Sequence, residues 1–172
     1  MMASKTSPQA LVEHALATSR SDGCVVIVRA STAANLRWAV NTLTTNGVMH
    51  GLHVTVMSFA KRADGTSTGS VTGSATTRDQ VAALVEAADA AAASAAPAED
   101  AGDLLAGDSS PDWDERPART SIDVFDRFAP ELGEAFHRAD AEQRILYGFV
   151  SHDVVTTYLG SSTGLRLRHV QP

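Results

Sequence analysis

Apolar residues recur along this chain in two rhythms, and the switches between them mark out its elements. From Pro8 to Arg20, Leu11, Ala15 and Leu16 share one face of a helical period, with Ser7 placed to cap the helix and Pro8 at its first position. Ser21-Asp22-Gly23 predicts its end, the glycine supplying a left-handed turn. Cys24 to Arg29 predicts a short β-branched strand. Asn35 to Thr44 predicts another, with Leu36, Trp38 and Val40 alternating against Asn35, Arg37 and Asn41. Asn46-Gly47 is a specific turn signal. Leu52 to Phe59 alternates again, and Arg62-Ala63-Asp64-Gly65 predicts a second hairpin turn. Thr66 to Ser74 is a strand of small residues, whose glycines mark a bulge or the close approach of another backbone. These segments predict an antiparallel meander of about four strands.

Thr77 to Ala96 is the clearest helix: Thr77 caps it, Asp79 sits at its positive end, and Val81, Leu84, Val85 and Ala88 form the packing stripe. Its alanine-rich second half allows close approach of a neighbour, and Pro97 ends it. Residues 98–120 are rich in Asp, Gly, Pro and Ser and read as an acidic linker or surface loop. Ser121 to Ala139 is helical again, with Ile122, Phe125, Phe128, Leu132 and Phe136 on one face and Pro130 marking a kink or a break between two helices. Strands follow at Arg144 to Ser151 and Val154 to Gly160. After the turn-like Gly160 to Gly164, Leu165 and Leu167 alternate with Arg166 and Arg168, the pattern of a ribbon with one buried face. The expectation is an α+β fold with an antiparallel meander sheet packed against helices, ending in an incomplete second sheet. Its regions are an N-terminal α+β domain at 1–97, the linker at 98–120, and a helix with the start of a second β-rich region at 121–172.

Composition narrows the function classes. In 172 residues the net charge is −6, and Lys5 and Lys61 are the only lysines. That balance argues against a phosphate-neutralising nucleic-acid surface. No apolar run approaches the roughly 20 residues of a membrane span, and residues 1–9 lack the order of a secretory signal. A single cysteine, Cys24, has no internal partner, so the expected compartment is the cytoplasm.

Candidate chemistry is thin. Cys24 opens the run Cys24-Val25-Val26-Ile27-Val28 and is expected to be a buried, inert thiol rather than a nucleophile. His50 and His53 have HxxH spacing, but on a strand residues three apart point to opposite faces. Glu134 and His137 form a single ExxH, without the second carboxylate–histidine pair of a di-metal site. Gly65, Gly69 and Gly73 lack the lysine of a phosphate loop. His152-Asp153 lies near Ser151, Ser161 and Ser162, yet no nucleophile elbow accompanies them, and Asp153 is better placed at a hairpin end. Asp108, Asp112, Asp114 and Glu115 lack calcium-loop regularity and read as solvated linker. No catalytic, cofactor-binding or metal residue is assigned.

Ser21 to Val28 followed by Asn35 to Gly47 resembles the N-terminal domain of the TldD/PmbA family, the metalloprotease-related proteins once called modulators of DNA gyrase, and within it the actinobacterial PmbA-like branch. The strand Gly65-Thr66-Ser67-Thr68-Gly69 leading into the alanine-rich helix continues the match. So do Tyr147-Gly148-Phe149 and Thr156 to Arg166. The resemblance implies an N-terminal piece of a longer protein. Active family members carry zinc on an HExxxH helix in the following portion; this sequence has no His-Glu dipeptide, so no catalytic residue carries over. It further implies a heterodimeric partner subunit, or the chain's own remaining part, around a cavity in which unfolded peptides are cut. Nucleic acid and membrane are not expected partners. A different reading is a stand-alone module that captures extended peptides on an exposed sheet edge, with Leu165, Leu167 and Val170 on the pairing strand.

Overall fold

The structure is a computed structural model and describes residues 6–172; the signal-segment reading of the first five residues falls outside them. Ser7 caps α1 (Pro8–Thr18) by accepting from the Ala10 N–H at 3.2 Å, as its position in the sequence predicts. The helix ends at Ser19 in extended backbone. Gly23 is therefore not a left-handed stop; it opens β1 (Gly23–Ala39), and its missing side chain makes room for Leu104.

The two predicted strands at 24–29 and 35–44 are one. No glycine or proline interrupts residues 30–34, and the even positions Thr32, Ala34 and Leu36 continue the buried series of Cys24, Val26 and Val28. The reversal comes at Val40-Asn41, both at positive φ, and not at Asn46-Gly47, which lies inside β2 (Thr42–Arg62). Asn41 explains the choice. Its side chain donates to Asp140 and to the Arg144 carbonyl at 2.8 Å and accepts from the Leu146 N–H at 2.7 Å. Local turn preference at Asn46-Gly47 has nothing comparable to oppose this.

The second hairpin is where the residues place it. β3 (Gly65–Ser74) pairs antiparallel with β2 in continuous register from Arg62↔Gly65 to His53↔Ser74. The glycines mark close approach rather than a bulge: a side chain at Gly69 would strike the Ala88 carbonyl and the Ala92 N–H of α2 (Arg78–Ser94). Thr77 and Gln80 form a full capping box at the start of that helix.

After a 3₁₀ turn at Ile122–Phe125 comes α3 (Phe128–Ala141), so the chain breaks between two helices, with Pro130 tolerated in the first turn of the second. β4 (Gly148–Ser161) is a single strand; His152-Asp153 makes no turn, because Val150, Val154, Thr156 and Tyr158 keep one uninterrupted inward series. β5 (Arg166–Gln171) follows a tight turn with Gly164 at φ +102°. One five-stranded antiparallel sheet results, in the order β3-β2-β1-β4-β5. The closing strands thus do not begin a second sheet: β4 sits beside β1 and delivers Tyr158 into the same core as Val26 and Val28.

The chain divides into two compact units that interleave in sequence: residues 1–30, 51–116 and 156–169, and residues 31–50, 117–155 and 170–172. In the first, Cys24, Val26, Val28, Val54, Val56 and Tyr158 pack beneath Leu11, Val12 and Ala15 of α1 and Val81, Val85 and Ala88 of α2. In the second, Ala34 and Leu36 meet Phe125, with Ile122, Ala129 and Val150 around them.

Candidate functional site

Each residue singled out for chemistry has a structural address. Cys24 is buried, and burial is the main cause that pushes its thiol up to about 11, so little thiolate forms near neutral pH. His50 and His53 are exposed on β2; His50 lies 3.5 Å from the Thr32 hydroxyl and His53 3.4 Å from that of Ser74. Glu134 and His137 lie on the exposed side of α3, where Glu134 pairs with Arg138 at 3.7 Å. The His152 Nδ1 bonds to the Thr120 hydroxyl at 2.8 Å, while Ser161 bonds to Thr163 and Ser162 accepts from the Cys24 N–H. His152, Ser161 and Ser162 are thereby each engaged with a different partner. Among the described residues, no three of His, Cys, Asp and Glu come together in a way that could hold a metal ion.

Residues 104–116 are not a free linker. Leu104 fills the space over Gly23, the Leu105 carbonyl accepts from Thr163, and Ser109 pairs with Arg166 as a short parallel bridge. Trp113 is buried edge-on against Tyr158, with ring centroids 5.7 Å apart. The Glu115 carbonyl accepts from the Tyr158 hydroxyl at 2.7 Å and from Gln9 at 2.9 Å. Leu104 and Trp113, two of the few apolar residues that stand out in this stretch of the sequence, are thus what anchors it.

β5 faces the opposite way from its hydrophobic pattern. Arg166, Arg168 and Val170 turn to the partly covered side, while Leu167, His169 and Gln171 face solvent. Charge pairing outweighs the leucine here. Arg168, its side chain only 7% exposed, reaches Asp112 at 2.9 Å and Glu115 at 3.4 Å, and Arg166 holds Glu13 through both of its carboxylate oxygens. Asp112 is held below the usual carboxylate range, first by its bond to Arg168 and then by Ser110. The Tyr158 hydroxyl is raised, mainly by burial. Ser110 and Asp108 also bond to the Arg166 backbone, so this part of the β5 edge already carries a neighbour; Leu165 packs against Gly107, and Val170 is half-buried at the strand's far end.

A second carboxylate network surrounds Asp89. Burial opposes its ionisation, yet the Arg20 N–H at 2.8 Å and the hydroxyls of Ser58, Ser19 and Ser21 together hold its pKa below the ordinary value. It joins the end of α1 to α2 and β2.

The feature that points outward is apolar. In the unit of residues 31–50, 117–155 and 170–172, Val40, Leu43, Val48, Met49, Ile145, Tyr147 and Phe149 are exposed, Tyr147 at 66% and Phe149 at 70%. Val40 and Leu43 come from the β1–β2 turn, Val48 and Met49 from further along β2, and Ile145, Tyr147 and Phe149 from the lead into β4, which Asn41 ties to the turn. Trp38 lies against Gly148, and its ring meets that of Phe128 at a tilt, with centroids 6.0 Å apart. Exposed apolar clusters of this kind mark interaction sites.

No family model and no curated protein matches the chain in sequence. Among solved structures, TldE from Thermococcus kodakarensis is similar with a TM-score of 0.66 and 15% identity, covering 93% of this chain and 36% of that one. A proposed modulator of DNA gyrase from Bacteroides thetaiotaomicron VPI-5482 is similar with a TM-score of 0.58 and 14% identity, covering 95% of this chain and 37% of that one. The chain therefore has the fold of part of these proteins and spans little more than a third of their length. Among the described residues no helix is long and apolar enough to cross a membrane.

Proposed function

We propose that this chain is a non-catalytic portion of a TldD/PmbA-type metallopeptidase or of its metal-free partner subunit, serving assembly and the enclosure of unfolded peptides. The exposed apolar side chains Val40, Leu43, Ile145, Tyr147 and Phe149 around the β1–β2 turn carry this reading. Several large side chains left in water at one hairpin end cost solubility, and they are expected where further polypeptide covers them. The fold likeness to TldE supplies the kind of polypeptide, since that protein continues well beyond the matched part. Zinc, in this reading, belongs to the active subunit and not to these residues.

Two measurements test it. Incubated alone with an unfolded fluorogenic peptide, the purified chain gives no cleavage; cleavage overturns the proposal. The double variant Tyr147→Ser/Phe149→Ser keeps the far-ultraviolet spectrum and melting point of the parent, because both side chains are already exposed, but no longer co-elutes with a TldD/PmbA-type partner subunit. Parent chain that fails to co-elute with such a subunit, or with the remainder of a family protein, also overturns it.

A further inference from the structure

The outer edge of β3 is open. The two-residue turn at Ala63-Asp64 and the register from Arg62↔Gly65 direct the main-chain groups of Ser67, Gly69, Val71 and Gly73 toward β2, and those of Thr66, Thr68, Ser70 and Thr72 away from it. The Ala98 N–H donates to the Thr66 carbonyl at 2.9 Å, which agrees with that direction and closes the first position. β3 ends the strand order, and among the described residues nothing pairs with the outward groups of Thr68, Ser70 and Thr72. The usual protections of an edge are missing: the stretch has no lysine, no proline and no break in register.

Its chemistry suits one occupant. Read from either end, the outward-facing positions are Thr, Ser, Thr. We propose that this edge pairs with β3 of a second copy of the chain, antiparallel, about a two-fold axis at Ser70. That register sets Ser70 opposite its counterpart and Thr68 opposite Thr72, and exchanges roughly six main-chain hydrogen bonds. It also extends a hydroxyl ladder that already exists on this face, where Thr72 and Thr55 meet at 2.8 Å. An isologous contact of this kind requires a surface that complements itself, and the Thr-Ser-Thr edge does.

The helix above agrees. Leu84 lies over Gly73 and Ala91 beside Gly69, so helical spacing sets Leu84, Ala87, Ala91 and Ser94 along the flank of α2 nearest the edge. That flank carries no charge. Asp79, Glu86 and Asp89 line the other side with Thr18 and Arg20 of the α1 end. Two copies of α2 can thus approach across the axis without like-charge repulsion. An arbitrary extended peptide would satisfy the same main-chain groups but would leave the two-fold match of edge and flank without a role.

Sedimentation of the whole chain over a concentration series tests this. The expected result is a shift from the 18.0 kDa monomer to twice that mass. Ser70 is exposed, so Ser70→Lys leaves the fold intact while setting two ammonium groups face to face, and association weakens roughly five- to tenfold. Ser70→Cys forms a disulfide-linked dimer under mild oxidation, whereas His53→Cys on β2 does not, and buried Cys24 does not interfere. A monomer at every concentration, or association untouched by Ser70→Lys, overturns the proposal. So does a monomeric chain whose β3 edge is filled only by an added extended peptide. Because Tyr147 and Phe149 lie in the other unit, association through that surface survives Ser70→Lys and is told apart.

Discussion

In one unit Val26, Val28, Val54, Val56 and Tyr158 lie fully covered beneath α1 and α2; in the other the covered side chains include Ala34, Leu36, Phe125, Leu132, Phe136 and Val154, while Tyr147 and Phe149 stand in water. The same long strands β1, β2 and β4 contribute to both. The contrast therefore comes from what each unit sets upon its strands. The first carries two full helices, a strap anchored by Trp113, and the Asp89 and Arg168 networks. The second carries a one-turn 3₁₀ helix and α3, and keeps much of its large apolar surface outside. On the function proposed above, the unit that closes its own core is the scaffold, and the one that leaves aromatics exposed is where further polypeptide docks.

That contrast can be broken most severely at Gly69. Gly69→Val forces a side chain into the α2 backbone at Ala88 and Ala92, which cannot move as a side-chain tip would. The expected loss is about 3 kcal/mol or more, read as a fall in the denaturant midpoint. A midpoint unchanged by this variant would mean that α2 does not seal the first unit.

Acid sharpens the comparison. Because the folded pKa of Asp89 is depressed, its contribution is present above the unfolded value and is lost as pH falls below about 4. Asp89→Asn is expected to lower stability at pH 7 by about 1–2 kcal/mol through weaker hydrogen bonds from Ser19, Ser58 and the Arg20 N–H. It should also flatten the melting temperature between pH 5 and pH 2 relative to the parent. A parent and variant with parallel pH profiles would remove Asp89 from the account.

The smallest effect is expected in the second unit. Val40 is a β-branched residue at φ +51°, a strained geometry for its kind. Val40→Gly relieves that strain, less the extra freedom glycine brings to the unfolded chain, for a net gain of about 0.5–1 kcal/mol in thermal melts. Destabilisation would show that the exposed valine packs against something in solution.

Local signals were legible where partners lie close in sequence. The Ser7 cap, the Thr77–Gln80 capping box, the Arg62–Gly65 turn and the α2 stripe all depend on neighbours within a few residues. The fold class, and the likeness to TldD/PmbA-type proteins, were readable for the same reason: the order of such elements is written along the chain. Signals failed where a distant residue held the deciding bond. Asn46-Gly47 lost its turn to Asn41, whose partners are Asp140, Arg144 and Leu146. The acidic stretch became a strap because Tyr158, Gln9 and Arg168 reach it from other elements.

By itself, then, the order of residues determined where helices begin, which positions along each strand share a face, and that the buried thiol of Cys24 belongs to a core. Tertiary structure decided that all five strands form a single sheet, that the arginines of β5 and not Leu167 turn inward, and which apolar side chains were left in water. Alternation fixes two faces of a strand but not which of them is covered; that depends on whether carboxylates such as Asp112 and Glu13, far away in the chain, arrive to neutralise the charge.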